Sequence, residues 1–144
     1  MTHADTDQQV GLVELNRTEC LRLLGQGVIG RIVYTVGALP AVLPVNYAMD
    51  GEEIIFRTGS DTILEAATSN EVVAFEVDDV NLETRTGWSV LALGKAYHIT
   101  DPARLTELTA RVPPPWAPGR SANTIAVPTL LLTGRQLRRP SDPG

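Results

Sequence analysis

The segment Arg57-Thr58-Gly59-Ser60-Asp61-Thr62 reads as a strand end, a small-residue turn and a helix start. A helix start presents free backbone N–H groups that attract anions. Arg57 and the hydroxyls of Thr58, Ser60 and Thr62 would add donors suited to a phosphate. An ordinary capped strand-to-helix connection has the same residue types, because attraction of anions is generic to helix starts. Asn46, in Pro44-Val45-Asn46-Tyr47, can donate and accept from one side chain. On a strand it would read the edge of a planar heterocycle, or it would serve as a plain edge asparagine. Trp88 and Ser89, in Gly87-Trp88-Ser89-Val90, offer a flat wall and a hydroxyl, although packing is an equally common use of tryptophan.

Other chemistries lack their residues. No Gly-x-Ser-x-Gly elbow, phosphate-binding loop with Gly-Lys-Ser/Thr, dinucleotide glycine fingerprint or His-Glu-x-x-His occurs. Glu76, Asp78, Asp79 and Glu83 lack the spacing and glycine of a calcium loop and read as a solvated face. No metal site is expected. The single cysteine, Cys20, rules out an internal disulfide. It falls in an apolar helical stretch and reads as a packed thiol. His98 lies on a strand and reads as structural. No residue stands out as a general acid or base.

Composition narrows the partners. The chain has 144 residues, a net charge of −5 and a pI near 4.9, which disfavours phosphate-backbone binding and hence nucleic acid. Residues 1–100 carry 14 acids against 6 bases, whereas residues 101–144 carry 3 against 6, including Arg135, Arg138 and Arg139. That basic end reads as solvated surface. One lysine, Lys95, stands against eleven arginines, so any lysine-dependent phosphate site must use Lys95. No signal peptide opens the chain and no apolar run reaches about 18 residues, so a cytoplasmic protein without membrane contact is expected.

The elements that must position these residues are mostly strands. Asn16 and Glu19 predict a capped helix over about 17–25. Strands are predicted over 30–36, 39–49, 52–58, 71–77, 86–100 and 123–132 from their β-branched and aromatic content. Asp50-Gly51 predicts a type I′ hairpin. Thr62 and Glu65 predict a capping box for a second helix, and Asp101-Pro102 starts a third that reaches about Arg111. Pro113, Pro114, Pro115 and Pro118 forbid regular structure. Hairpin-linked strands exclude an all-parallel sheet. The expectation is mainly β, a six-stranded antiparallel barrel with short helices outside. One domain spans 11–139, flanked by flexible segments 1–10 and 140–144.

Taken together, several segments resemble one family. They are Leu15-x-x-x-Glu19-Cys20-x-x-Leu23-Leu24, Gly30-Arg31-Ile32, Pro40-x-x-x-Pro44-Val45-Asn46-Tyr47 and Phe56-Arg57-Thr58. Phe75-Glu76-Val77-Asp78-Asp79, Gly87-Trp88-Ser89-Val90 and Leu132-Thr133-Gly134-Arg135 complete the set. In order and spacing they look like the pyridoxamine 5′-phosphate oxidase-like family, over about residues 12–137. The branch resembled is that of small actinobacterial proteins related to nitroimidazole-resistance proteins. The resemblance implies the FMN-binding split barrel, a homodimer with two interface cofactor sites, and FMN held non-covalently. By position, Val45 and Asn46 would line the isoalloxazine ring. Arg57, Thr58 and Thr62 would approach the ribityl phosphate. Trp88 and Ser89 would lie on the neighbouring long strand, near the ring or phosphate.

One departure weakens the implied phosphate site. Relatives commonly read Arg-Thr-x-x-Gly-Thr-Lys-Leu, where this chain has Asp61 for the glycine and Ile63 for the lysine. Losing one charge-assisted hydrogen bond costs about 1.5–3 kcal/mol. Arg57, Arg85 and Lys95 are the candidates to compensate. The resemblance implies a flavin-dependent oxidoreductase acting on an unknown small molecule. The alternatives are a non-catalytic flavin-binding or scaffold protein with a weakened FMN site, and a deazaflavin-dependent reductase.

Overall fold

The computed structural model describes residues 11–114 and 122–139. The expected terminal segments 1–10 and 140–144 lie outside the described residues, as do Pro115 and Pro118. The strands are β1 (Gly11–Leu15), β2 (Ile29–Val36), β3 (Leu39–Asp50), β4 (Glu53–Thr58), β5 (Val72–Asn81), β6 (Thr86–Lys95), β7 (Tyr97–His98), β8 (Asn123–Pro128) and β9 (Leu131–Arg138). The helices are α1 (Arg17–Leu24), α2 (Asp61–Thr68) and α3 (Pro102–Thr109). All pairings are antiparallel, in the order β1-β9-β6-β5-β2-β3-β4-β8-β7.

The class is mainly β with short helices, as expected, but nine strands form among the described residues where six were expected. Each difference has a local cause. β1 is a short edge strand that only its pairing to β9 defines. The long strand expected over 86–100 breaks at Ala96, whose N–H turns to Glu71 O, and splits into β6 and β7. The strand expected over 123–132 ends at Pro128 and restarts at Leu131. The sheet curls without closing. At the seam, β6 crosses β8 so tightly that a Cβ on Gly94 would stand 1.8 Å from Pro128 O.

β3 is the strand that joins the two halves. Its first part, Leu39–Asn46, pairs with β2, and its last part, Tyr47–Asp50, pairs with β4. Tyr47 sits at the changeover, 4% exposed, and donates from its hydroxyl to Leu24 O at 2.5 Å. Its ring meets Phe75 edge-on at 5.2 Å. Burial pushes its phenol pKa far up, so it remains a neutral donor. Around it lies the main core, with Phe56, Phe75, Ile54, Ile125, Leu24 and Cys20 fully enclosed. Each such large aliphatic or aromatic side chain contributes roughly 1.5–3 kcal/mol by leaving water.

A second, smaller cluster lies on the other face of β4 and β8. There α3 packs Leu108 against Ile55, Ala126 and Ile99. Arg104 pins α3 to the sheet by donating to Tyr97 Oη at 2.7 Å and Glu53 Oε1 at 2.8 Å. The tyrosine in turn donates to Glu53.

Two local expectations need correction. The β3–β4 hairpin turns on Gly51 and Glu52, with Asp50 opposite Glu53, and only Gly51 has positive φ. That excludes type I′, which needs positive φ at both central positions. The N-cap of α2 is Ser60, not Thr62: Ser60 Oγ accepts from Ile63 N at 3.3 Å. The earlier serine wins because it leaves Ile63, Ala66 and Ala67 on the buried face. The other two helices start as expected, with Asn16 Oδ1 accepting from Glu19 N and Asp101 capping Arg104 N.

Replacing Tyr47 with Phe removes the hydroxyl donor from Leu24 O, which keeps only the longer bond from Gly27 N at 3.3 Å. Unfolding by urea should show a loss of about 0.5–1.5 kcal/mol. An unchanged midpoint would mean that this bond does not anchor the changeover.

Candidate functional site

Strand alternation sorts the candidate residues onto faces. Tyr47 opposite Phe56 places Asn46 and Arg57 one step further along neighbouring strands, and Arg57 is in turn opposite Thr124. Asn46, Arg57 and Thr124 thus continue the row Ala48, Ile55 and Ala126 on the α3 side of the sheet. Asn46 is 4% exposed, and its Nδ2 donates to Pro114 O at 2.9 Å, just beyond α3. Arg57 is half-buried, and its guanidinium has no hydrogen bond or ion pair among the described residues.

Val45 and Thr58 face the other way, toward the main core. Thr58 is buried, and its Oγ1 accepts from Ser60 N at 3.0 Å, which fixes the turn between β4 and α2. Thr62 and Asp61 are exposed in the first turn of α2. Ile63, where relatives carry lysine, is 2% exposed inside the main core. Neither proposed substitute stands on the elements that carry Arg57. Arg85 sits in the β5–β6 turn with a φ of 57°, and Lys95 ends β6 opposite Val72. Among the described residues, Arg57 is therefore the cation of this end of β4.

Trp88 and Ser89 are neighbours in sequence but project to opposite faces of β6. Trp88 shares the side of buried Val90 and Ala92 and packs partly against the main core. It also lines an open groove of about 770 Å³, bounded by the β5–β6 hairpin and the end of β9. None of Val45, Asn46, Arg57, Thr58 and Thr62 lines that groove. Ser89 lies on the outer face, between Asp78 and Arg135. Within one chain, the structure thus brings Asn46 and Arg57 together and leaves Trp88 and Ser89 elsewhere.

The same outer face holds a charged cluster whose acids, Glu76 and Asp78, the sequence read as a solvated face. Arg31 reaches Glu76 and Asp78, each at 3.4 Å. Burial, then the adjoining Asp78, pushes the Glu76 carboxyl up to about 7, against the partial opposition of Arg31. Around the cluster the face is apolar: Val33, Ala74 and Leu93 lie in one cross-strand row, with exposed Val42 and Leu131 at its ends. The i, i+2 spacing of Glu76 and Asp78 was the available signal, since it puts both on one face. Among the described residues, no three His, Cys, Asp or Glu side chains cluster to hold a metal ion. No helix among them is long and apolar enough to cross a membrane.

A profile of the family described as pyridoxamine 5′-phosphate oxidase matches residues 16–134. The chain belongs to that family. An uncharacterised protein of Mycobacterium tuberculosis is 36% identical over 128 residues, covering 85% of this chain and 84% of the relative. Among solved structures, a FAD-binding protein from Mycobacterium smegmatis superposes with a TM-score of 0.71 at 32% identity. It covers 88% of this chain and 98% of its own. A FAD-binding protein from Mesorhizobium loti shares the fold, with a TM-score of 0.70 at 20% identity over 87% of this chain and 97% of its own. For this member of the pyridoxamine 5′-phosphate oxidase family, the resemblance in sequence and the observed architecture agree.

The raised Glu76 carboxyl has a definite linkage sign. Between its ordinary value of 4.5 and about 7, the folded chain binds the proton more tightly than the unfolded chain. Stability from this group therefore rises as pH falls from about 7 toward 4.5. Glu76→Gln should flatten that part of a stability-against-pH curve measured by urea unfolding. An unchanged slope would show that Glu76 titrates normally.

Proposed function

We propose that this protein binds a flavin, FMN in the first instance, and uses it as an oxidoreductase on a small molecule. The observation that carries the reading is Arg57, half-buried and without a partner among the described residues, at the end of β4 where α2 begins. The family match and the flavin-binding relative at 32% identity support it. Arg57, the first turn of α2 with Thr62, and the Thr58 turn would receive the phosphate. Asn46 would border the ring, with its amide held in place by Pro114 O, whereas Val45, expected beside it, faces the main core. Bound flavin would supply hydride or electron transfer through its ring, and the chain supplies binding, orientation and polarity.

Burial of Ile63 favours a phosphate grip made by one cation instead of two. Asp61 is exposed, and as an acid in a first helical turn it also stabilises α2 through the helix dipole. The site would therefore hold the flavin more weakly than relatives that carry the lysine.

A homodimer belongs to this reading. The outer face carries exposed Val42, Val80, Leu91, Leu131 and Leu137 beside Arg31, Glu76, Asp78 and Arg135, two cations against two carboxylates. A neutral, largely apolar face of this kind suits a symmetric copy of itself. A second copy packed on this face would also bring Ser89 toward a cofactor that it does not share with Arg57 in one chain, whereas Trp88 faces the other way.

The test is a titration of ligand-stripped protein with FMN, followed by flavin fluorescence and absorbance near 450 nm. Saturable binding is expected. Arg57→Ala should weaken it roughly tenfold to a hundredfold, the worth of one charge-assisted hydrogen bond, while the apo protein's thermal midpoint stays put. Binding that is indifferent to Arg57 would overturn the assignment. Deazaflavin binding in place of FMN would redirect the function to a deazaflavin reductase. Sedimentation at micromolar concentration should give a dimer, and a monomer would sink the shared-site reading.

A further inference from the structure

The outer face of the sheet carries, at one point, more carboxylate than it can neutralise. Arg31 on β2 reaches both Glu76 and Asp78 on β5, each at 3.4 Å, so one guanidinium serves two carboxyls. The other charged groups of this face stand further off. Arg135 on β9 lies two strands from Asp78, beyond Ser89, and its own cross-strand neighbour is Glu14 on β1. Lys95 stands at the far end of β6. β6 sets Leu91 directly opposite Glu76, and β3 sets Pro44 opposite Arg31. Val42, Leu91 and Leu131 are exposed on the same face, with Val33, Ala74 and Leu93 between them.

Association turns that excess into a constraint. Ile29 pairs with Asn46, and Asp78 pairs with Ser89. The β2–β5 register, carried two residues past Arg31 and Glu76, sets Ile29 in line with Asp78. In the shared-site dimer proposed for this protein, on which this inference rests, a twofold carries Ser89 of one copy to Asn46 of the other. Such an axis runs midway along that row, between β2 and β5. Each Arg31–Glu76–Asp78 cluster then faces its own equivalent. The joined cluster has four carboxyls for two guanidiniums, within an apolar surround. Carboxylates without a counter-charge are expensive to take out of water, and like charges facing one another oppose association. The neutral acid form avoids both. Glu76 is poised for it, since burial and the adjoining Asp78 push its carboxyl up to about 7 against the pull of Arg31.

We infer that association through this face is proton-linked: each copy holds one proton at the Glu76–Asp78 pair in the dimer, which therefore loosens as the solution becomes basic. Below the value of the free chain the proton is already bound, and association is indifferent to it. Above that value two protons must be gathered per dimer, and Kd rises by up to about 100-fold per pH unit. Because the proposed cofactor site draws on both copies, flavin retention follows the same titration.

Sedimentation equilibrium of the full-length protein at pH 6.5, 7.5 and 8.5 tests it, in buffers containing EDTA so that no metal ion replaces the proton. Kd should rise at least tenfold from pH 6.5 to pH 8.5. Glu76→Gln keeps the shape and is permanently neutral, so it should give one Kd at all three values, no weaker than that of the unaltered protein at pH 6.5. Asp78→Asn should flatten the profile as well, since Arg31 then serves a single carboxylate. A dimer with equal Kd at all three values, or one that tightens toward pH 8.5, would overturn the proton linkage and leave the dimer standing. A slope that persists in Glu76→Gln would place the titrating group elsewhere and overturn it too. A monomer at micromolar concentration at every pH would sink the dimer and the linkage together.

Discussion

The fold turns on one strand changing partners. β3 runs beside β2 as far as Asn46 and beside β4 from Tyr47 onward. That changeover would leave a weak point if nothing filled it. Tyr47 fills it, with its hydroxyl on the last carbonyl of α1 and its ring against Phe75. The fit is tight on every side: a Cβ on Gly27 would stand 2.2 Å from the tyrosine hydroxyl, and one on Gly30 would stand 2.1 Å from the Phe75 ring. Because Tyr47 is fixed opposite Phe56, its neighbours Asn46 and Arg57 are fixed as well. The candidate site is thus a by-product of the packing that holds the two halves of the sheet together.

The same geometry explains how the residues of interest divide. A strand sends successive side chains to opposite faces. Arg57 and Asn46 share the α3 face, Trp88 lines an end groove, and Ser89 joins the charged and apolar outer sheet. Each group is incomplete alone. A single cation with a helix start holds an anion weakly, and an apolar face with a carboxyl raised to about 7 is poorly suited to open water. In the proposed dimer, association through the outer face would relieve the second problem and bring Ser89 to the first.

Much of the framework was legible in the sequence because its signals are local. Caps at Asn16 and Asp101, β-branched runs and proline positions located α1, α3 and most strands. What escaped was set by contacts between distant segments. β1 exists through β9, and the split of β8 from β9 reflects a crossing at Gly94. Ser60 displaced Thr62 as the cap because burial of Ile63 decided the helix register. Arg57 beside a helix start was legible as a candidate for a phosphate, but its lack of a partner among the described residues was not. Glu76 and Asp78 read as acids of a solvated face. Their alignment with Arg31 depends on a cross-strand register that sequence alone does not specify.

The most direct test of the central claim is the phosphorus-31 NMR spectrum of FMN added to the ligand-stripped protein. The account predicts a distinct bound phosphate resonance, shifted from that of free FMN, which returns to the free position in Arg57→Ala. A bound flavin whose phosphate resonance matches free FMN, or one that survives Arg57→Ala unchanged, would place the anion elsewhere and contradict the account.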